Sequence, residues 1–284
     1  MGGGSWTTDK FTSYSTVTKG AKLNSRGVLD TSMSNQEMFK ARRVDKALNP
    51  YNVTRECRDS EEHPETTPVI LALDVTGSMG DAAVEVAKKL NVIMTKLYDQ
   101  VKDVEFMIMG IGDLYCDEGP IQISQFESDI RIAEQLDKLW FEFGGGGNLS
   151  ESYTAAWYMG SRHCDLDCWK RGKKGIIITM GDERLNPCLE EQPLMLQTGD
   201  DLEADIETKN LYAEASEKFD IYHIQVDHGR SWDIDGIIKS FEILGDNFKR
   251  ANMDNIADVI VEIIANHNGA TTEVVQTGTD GISW

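Results

Sequence analysis

Long apolar runs are missing from this 284-residue sequence. A membrane-spanning helix needs about 20 consecutive, mostly apolar residues, so we expect no span. The N-terminus also lacks a charged stretch followed by an apolar one, which is the pattern of a secretory signal. Cysteines are few, and the five present are unevenly spaced, which does not indicate a disulfide scaffold. We therefore expect reduced thiols and a cytoplasmic location.

Basic residues are scarce relative to acidic ones. The chain has 28 Lys and Arg against 48 Asp and Glu, a net charge of −20, and residues 67–284 hold 39 of the acids but only 18 of the bases. Because nucleic-acid affinity depends on Lys and Arg neutralising phosphates, we expect no nucleic-acid partner. The acidic body favours cations or partners with basic surfaces, unless the charge serves solubility alone.

Residues 1–66 have few apolar residues and no sustained period, so we predict an extended arm rather than a domain. Within it, residues 1–20 are predicted to be irregular. The one predicted helix covers residues 34–48, with Ser34 as its N-cap and Pro50 just beyond its end. Four aromatic residues indicate that the arm lies on its own body or on a neighbouring copy: Trp6, Phe11, Tyr14 and Tyr51.

Strand and helix patterns alternate over residues 67–267, the predicted domain, which a polar tail follows at 268–284. The apolar run "VILALDV" is typical of a buried strand. The next segment predicts a helix with one inner face, formed by Ala83, Ala87, Leu90, Met94 and Leu97. "VEFMIMGIG", "IQISQF", "KKGIIITMGD" and "DIYHIQV" read as further strands. The alternation predicts an α/β fold with a doubly wound, mostly parallel sheet and helices on both faces.

Acidic residues fall where the sites of such sheets form, at the carboxyl ends of the strands. Asp74 ends the first strand, and Asp182 follows a later one. Glu151 lies near the start of a predicted helix that reaches the same edge. We expect these three side chains on one rim of the sheet.

One interpretation makes Asp74 a phosphoryl-accepting nucleophile, because "DVTGS" is similar to segments of phosphorylated ATPases and haloacid-dehalogenase-type phosphatases. Those enzymes need a second acid or a lysine close by, and Val75 and Thr76 occupy the positions in question. Phosphoryl transfer also needs a cation at the phosphoryl group. Lys173 and Lys174 precede a strand and so lie at its wrong end. The interpretation as a phosphotransferase is therefore less favoured than the one that follows.

A second interpretation makes the same segment a metal site. Asp74, Thr76 and Ser78 place oxygen atoms at alternate positions of a tight turn, as a hard cation requires. Such a sparse site suits Mg²⁺, which keeps several waters, with Mn²⁺ or Ca²⁺ as alternatives. A carboxylate from a partner protein can fill an open position.

At this point "VILALDVTGSM" resembles the first strand and the metal-ion-dependent adhesion site of von Willebrand factor A domains, whose signature is D-x-[ST]-x-S. The resemblance extends over residues 67–267 and implies the doubly wound, Rossmann-like fold. It also implies a protein-binding module, not an enzyme, that engages an acidic group of a partner through the metal ion. Intracellular members of the family often work with AAA+ ATPases or in assemblies, so an AAA+ ATPase is the implied partner.

Two further segments resemble the family's motifs but are altered. Gly147 of "GGGNLSES" stands where the family has a metal-binding threonine, and the resemblance implies Glu151 as its replacement. In "ITMGDE" the acid of the family's third motif is displaced to Asp182. Capping of helix N-termini is the alternative role for both acids. The predicted metal residues are therefore Asp74, Thr76, Ser78, Glu151 and Asp182.

Three other readings have less support. The glycine run near residue 145 lacks the Lys-Ser/Thr of a phosphate-binding loop. The segment "HCDLDC" with Cys188 does not have the spacing of a structural zinc site, and no base can be assigned to Ser78 for a Ser-His-Asp arrangement. A different functional class is structural: the arm joins copies of the chain into a homo-oligomer, in a cellular or viral assembly, and the metal serves stability.

Overall fold

The structure is a computed structural model of the chain. It describes residues 4–142, 150–227 and 233–269, apart from the side chain of Ser78. Gly147 and all but two residues of the predicted tail lie outside the described residues.

The secondary structure is numbered in chain order. The helices are Thr8–Lys19 (α1), Asn35–Met38 (α2), Gly80–Gln100 (α3), Arg131–Leu136 (α4), Thr154–Arg162 (α5), Asp167–Lys170 (α6), Glu191–Thr198 (α7), Thr208–Ser216 (α8), Ile234–Ser240 (α9) and Ile256–His267 (α10). The strands are Lys22–Leu23 (β1), Leu29–Asp30 (β2), Arg55–Cys57 (β3), Thr67–Asp74 (β4), Val104–Ile111 (β5), Ile121–Ile123 (β6), Ser150–Glu151 (β7), Cys164–Leu166 (β8), Gly175–Gly181 (β9), Arg184–Leu185 (β10), Cys188–Leu189 (β11), Ile206–Glu207 (β12), Phe219–Asp227 (β13) and Phe248–Asn252 (β14). Gly77–Met79 and Glu242–Asn247 form 3₁₀ helices.

The central sheet has six strands in the order β14-β13-β9-β4-β5-β6. Neighbouring strands are parallel except β5 and β6, which are antiparallel. The chain runs from β4 out to β6 and then returns to the other side of β4 with β9, so the winding reverses between β4 and β9. This topology confirms the predicted doubly wound, mostly parallel sheet.

The sheet has a hydrophobic core on each face, because successive side chains of a strand point to opposite sides. Val69, Leu71 and Leu73 of β4 belong to the core that contains α3 and α10. Ile70 and Ala72 belong to the other core, which contains α5 and α8. The predicted inner face of α3 is buried at all five positions, Ala83, Ala87, Leu90, Met94 and Leu97. Helices therefore cover both faces, as predicted.

The N-terminal segment differs from its predicted secondary structure in two places. The segment predicted to be irregular contains a helix, because α1 begins after Thr7, whose side chain caps Lys10 N, and ends at Gly20 in the left-handed region, with φ 64°. The helix predicted over residues 34–48 is wrong beyond its first turn, since α2 ends at Met38. Phe39 then takes an extended backbone that lets its ring pack on Phe141, with centroids 4.3 Å apart.

The same segment lies on the body of its own chain. Trp6 and Phe11 are buried in the core on the α3 side of the sheet. Trp6 Nε1 donates a hydrogen bond to Asn91 Oδ1 on α3 over 3.1 Å, and Tyr14 donates to Asp137 Oδ2 over 2.8 Å. Tyr51 is exposed. The boundary at residue 66 stays a prediction, although the segment's aromatic residues contribute to the domain core.

Within the described ranges, each helix is too short or too polar to cross a lipid bilayer.

Candidate functional site

Asp74 and Asp182 lie where the winding of the sheet reverses. Asp74 is the last residue of β4, and Asp182 directly follows β9, the neighbouring strand. Glu151 lies on β7, which pairs with β10 immediately beyond Asp182, at Leu185. In open α/β sheets, ligands bind in the crevice at such a reversal point. The prediction that the three acids share one edge is borne out by these positions.

Asp74 is held by three hydrogen bonds in a fully buried position. Its Oδ1 accepts from the Thr76 backbone N–H over 2.9 Å and from the Thr76 hydroxyl over 2.5 Å. Its Oδ2 accepts from the hydroxyl of Tyr153 over 2.9 Å. The predicted convergence of Asp74 and Thr76 is therefore present, while the Ser78 side chain lies outside the described residues.

Tyr153 is a site residue that the sequence did not reveal. Its oxygen also accepts a hydrogen bond from Glu183 N over 3.3 Å. A Cβ at Gly181 would lie only 1.8 Å from that oxygen, so glycine is required where β9 passes the phenol. The ring is fully buried against His223, with centroids 5.0 Å apart. No spacing pattern links Tyr153 to Asp74, but the glycine at the end of β9 was a usable signal of close packing.

Glu151 is a buried acid with one oxygen unpartnered among the described residues. Its side chain is 7% exposed, and its Oε2 has no hydrogen-bond partner among the described residues. Burial raises the pKa of Glu151 well above its ordinary value, and the negative charges of Asp74, Asp117 and Asp113 raise it further. An unpartnered carboxylate in such a place is unfavourable unless a proton or a cation compensates it.

The alternative role of Glu151 as a helix cap does not match its position. It lies on a strand, and α5 begins three residues later at Thr154. The N-terminus of that helix is instead capped by Asn186, whose Oδ1 accepts from Thr154 N over 3.2 Å. Capping therefore does not account for the burial of the Glu151 carboxyl group.

Asp182 contributes negative charge to the same pocket. Its side chain is 7% exposed. The pKa of Asp74 is raised, first by burial and then by the charge of Asp182, while the donors Thr76 and Tyr153 lower it. Two close carboxylates and a third buried one make the crevice strongly attractive to a positive ion.

The oxygen donors of the site suit a small divalent cation. Hydroxyl and carboxylate oxygens are the ligands that Mg²⁺ and Ca²⁺ prefer. In the described ranges, however, no three His, Cys, Asp or Glu side chains are grouped so as to hold a metal ion by themselves. An ion at Asp74 would therefore depend on hydroxyl groups and water. Direct ligation by Glu151 and Asp182 stays a prediction, and the same observation leaves the zinc reading of "HCDLDC" without support.

The rim around the crevice is also acidic. The loop after β5 places Asp113 and Asp117 near Glu151, and the charge of Glu183 also acts on Glu151. Asp113 Oδ1 accepts hydrogen bonds from the backbone of Tyr115 over 2.7 Å and of Cys116 over 2.8 Å. Tyr115 is 68% exposed at the tip of this loop. The edge thus presents negative charge around an exposed aromatic ring.

A Ser-His-Asp arrangement exists elsewhere in the fold, although none could be assigned from the sequence. Ser128 Oγ is 3.2 Å from His63 Nε2, and His63 Nδ1 is 3.3 Å from Asp103 Oδ1. The Gly4 carbonyl accepts a hydrogen bond from Ser128 Oγ over 2.6 Å and lies 3.0 Å from His63 Nε2. Ser128 and His63 are buried, Asp103 is partly buried, and Ser128 holds the Gly4 carbonyl, so the arrangement anchors the N-terminal segment.

Comparisons with known proteins give the following. No family profile matches the chain, and no curated protein sequence matches it. Among solved structures it is similar to the pilus adhesin SpaC of Lactobacillus rhamnosus GG in its open conformation, with 14% identity and a TM-score of 0.45 over 77% of this chain and 30% of the adhesin. It therefore spans less than a third of the adhesin's length.

Two further solved structures match over most of their own length. The von Willebrand factor domain of the type V pili tip protein Mfa5 from Porphyromonas gingivalis is 13% identical, with a TM-score of 0.45 over 72% of this chain and 95% of that one. The conserved hypothetical protein BatB from Bacteroides thetaiotaomicron is 14% identical, with a TM-score of 0.44 over 72% and 100%. Similarity at this level supports no statement about function.

Proposed function

We propose that this chain is a von Willebrand factor A-like protein-binding module, not an enzyme, that holds a divalent cation at the Asp74 edge and through it engages an acidic group of a partner. The observation that carries the proposal is the pair of buried acids at the reversal point of the sheet, which need a proton or a cation to compensate them. There Asp74 is fully buried and Glu151 Oε2 has no hydrogen-bond partner in the described part of the chain.

Each residue has a distinct task in this proposal. Asp74 is the anchoring carboxylate, and Thr76 and Ser78 supply hydroxyl oxygens. Glu151 and Asp182 add negative charge that favours a cation over an empty crevice. Tyr153 fixes the orientation of the Asp74 carboxylate through its hydrogen bond. A bound Mg²⁺, Mn²⁺ or Ca²⁺ supplies positive charge and an open coordination position.

The acidic rim restricts the partner. An acidic ligand residue that approaches Asp113, Asp117 and Glu183 meets repulsion from each of them. The partner's ligand residue must therefore be surrounded by basic residues, which pair with the rim and accelerate association. The AAA+ ATPase stays a prediction as the identity of that partner.

The other two classes fit the geometry less well. Phosphoryl transfer to Asp74 would need a second acid or a lysine close to it, and Val75 and Thr76 occupy the adjoining positions. Lys173 and Lys174 precede β9 and so lie at the edge opposite Asp182. Self-assembly through the arm would need exposed aromatic residues, and of the four only Tyr51 is exposed, while Trp6 and Phe11 are buried in their own chain.

The test compares metal binding and partner capture by wild type and Asp74→Asn, which keeps the size of the side chain. We expect wild type to bind Mg²⁺ or Mn²⁺ in calorimetry and to capture a partner that EDTA releases, and Asp74→Asn to lose both. Asp99→Asn is the matched control, because Asp99 is exposed at the far end of α3. Identical binding and capture by wild type and Asp74→Asn would overturn the proposal.

A further inference from the structure

A second cavity lies at the opposite edge of the sheet from Asp74. Its volume is about 690 Å³, and it is lined by the residues that lead into β4 and β9, the end of α3 and the end of α10. Strand β4 has eight residues, so its length of about 3.3 Å per residue separates this edge from the Asp74 edge by roughly 26 Å. The two regions are therefore independent.

The cavity is basic although the chain carries a net charge of −20. Four of its lining residues are basic, Lys102, Arg171, Lys173 and Lys174, and two are acidic, Glu65 and Asp103. The local charge of the lining is therefore opposite in sign to the net charge of the chain. Positive groups this close repel one another unless a negative group compensates them.

Two of these lysines are uncommitted. Within the part of the chain that the structure describes, the ammonium groups of Lys102 and Lys173 have no acidic side chain within ion-pair distance. Lys174 Nζ is 3.7 Å from Asp220 Oδ1, a long contact with an exposed partner. Exposed pairs of that kind contribute little, so Lys174 also retains most of its charge for a ligand.

The wall of the cavity is fixed by internal bonds. Arg171 pairs with Asp59 and donates to the Thr66 carbonyl over 2.8 Å, so its guanidinium is held in place. Asp103 Oδ1 is 3.3 Å from His63 Nδ1, and its Oδ2 accepts from Glu65 N over 3.4 Å. Asp103 is therefore engaged by His63 and the backbone, and Arg171 by Asp59, while Lys102 and Lys173 are lining charges with no ion-pair partner among the described residues.

We propose that this cavity binds a small anion with two or more negative charges, of the class of phosphate esters and diphosphates. Its volume lies in the range of about 300–1,000 Å³ of small-molecule sites, which favours a compact ligand over a peptide. Lysine ammonium groups bind phosphate oxygens as mobile point charges, while a guanidinium that is held in place donates hydrogen bonds in a fixed direction. A doubly charged ligand is required, because it must outweigh the repulsion of the acidic body.

The test is calorimetric titration of the full chain with pyrophosphate, in buffer without divalent cations because pyrophosphate chelates them. We expect saturable binding that weakens as salt rises. The double variant Lys102→Gln/Lys173→Gln should weaken binding roughly tenfold, since it removes two charge contacts. Its control is Lys46→Gln/Lys239→Gln, two exposed lysines elsewhere, which should bind as wild type does. Circular dichroism checks that both variants fold.

Parallel titrations identify the anion. Binding of pyrophosphate in preference to citrate supports phosphate recognition. The proposal is overturned if pyrophosphate shows no saturable binding at 1 mM, on the order of the weakest affinities of small-ligand sites. It is also overturned if the control pair weakens binding as much as the cavity pair, or if a glutamate-rich peptide binds while pyrophosphate does not. These results do not depend on whether the Asp74 edge holds a metal ion.

Discussion

The phenol of Tyr153 donates a hydrogen bond to the buried carboxylate of Asp74, joining residues 79 positions apart in the chain. The contact ties the segment before α5 to the end of β4, and the absence of a side chain at Gly181 makes room for it. The orientation of the candidate metal anchor therefore depends on a residue from another crossover.

Replacing Tyr153 by Phe should lower the free energy of unfolding by about 1–3 kcal/mol, because a buried charged acceptor loses a donor. It should also weaken Mg²⁺ binding, since Asp74 is then less well oriented. Urea unfolding and calorimetry measure the two effects. Tyr212→Phe is the control, because Tyr212 packs on Trp157 through its ring, with centroids 5.6 Å apart. Equal effects of both substitutions would contradict the prediction.

Replacing Glu151 by Gln should have opposite effects with and without metal. Without divalent cations the variant should be more stable than wild type by about 1 kcal/mol or more at neutral pH, because the unfolded glutamate is ionised and folding must protonate it or bury its charge, a cost that glutamine avoids. Addition of Mg²⁺ should raise the melting temperature of the variant less than that of wild type, because the crevice of the variant is less negative. Thermal melting with EDTA and with Mg²⁺ shows both differences. Glu62→Gln at the surface should change neither, and a variant destabilised under both conditions would refute the charge argument.

His223 should make the protein less stable in mild acid. Burial lowers the pKa of His223 to about 3, against an ordinary value near 6.5. The unfolded chain then takes up this proton while the folded one does not, so stability is lost as the pH falls from about 6.5 towards about 3, by at most about 1.4 kcal/mol per pH unit.

The matching variant is His223→Phe, which keeps an aromatic ring against Phe241, whose centroid is 3.8 Å from that of the imidazole. Urea midpoints are measured at about pH 7, 5.5 and 4.5, a series that crosses the ordinary imidazole pKa of about 6.5. The midpoints of the variant should fall less steeply with pH than those of wild type. Parallel slopes for the two proteins would show that His223 does not contribute.

Ser128→Ala should loosen the N-terminal segment, because the Gly4 carbonyl loses its hydrogen bond from Ser128 Oγ. The expected cost is about 1 kcal/mol. The more specific readout is faster amide exchange around α1 and faster trypsin cleavage after Lys10. Ser25→Ala, at an exposed position, should exchange as wild type does. Unchanged exchange around α1 in Ser128→Ala would show that Ser128 does not hold the segment.

Strong local patterns explain what the sequence predicted correctly. The continuous apolar run of β4 indicates a buried strand, and the helical spacing of apolar residues in α3 indicates one inner face. Both are buried as expected. Asp74, Asp182 and Glu151 share an edge because strand ends converge in a parallel sheet.

Tertiary contacts explain what the sequence missed. Residues 34–48 contain good helix formers, but burial of Phe39 against Phe141 ends the helix at Met38. The helix α1 is rich in Thr and Ser, which are weak helix formers, so the segment was predicted to be irregular. Tyr153 and the basic cavity combine segments far apart in the chain, which no spacing pattern can show.

The hydrogen bond from Trp6 to Asn91 has a consequence for biosynthesis. The two residues are separated by 85 positions, so at about 5–20 residues per second the ribosome makes Trp6 roughly 4–17 s before its partner. Until α3 has been made, the indole and the neighbouring Phe11 have no core to enter. The nascent chain thus exposes these aromatic side chains early, and a chaperone that binds apolar surface would act during this interval.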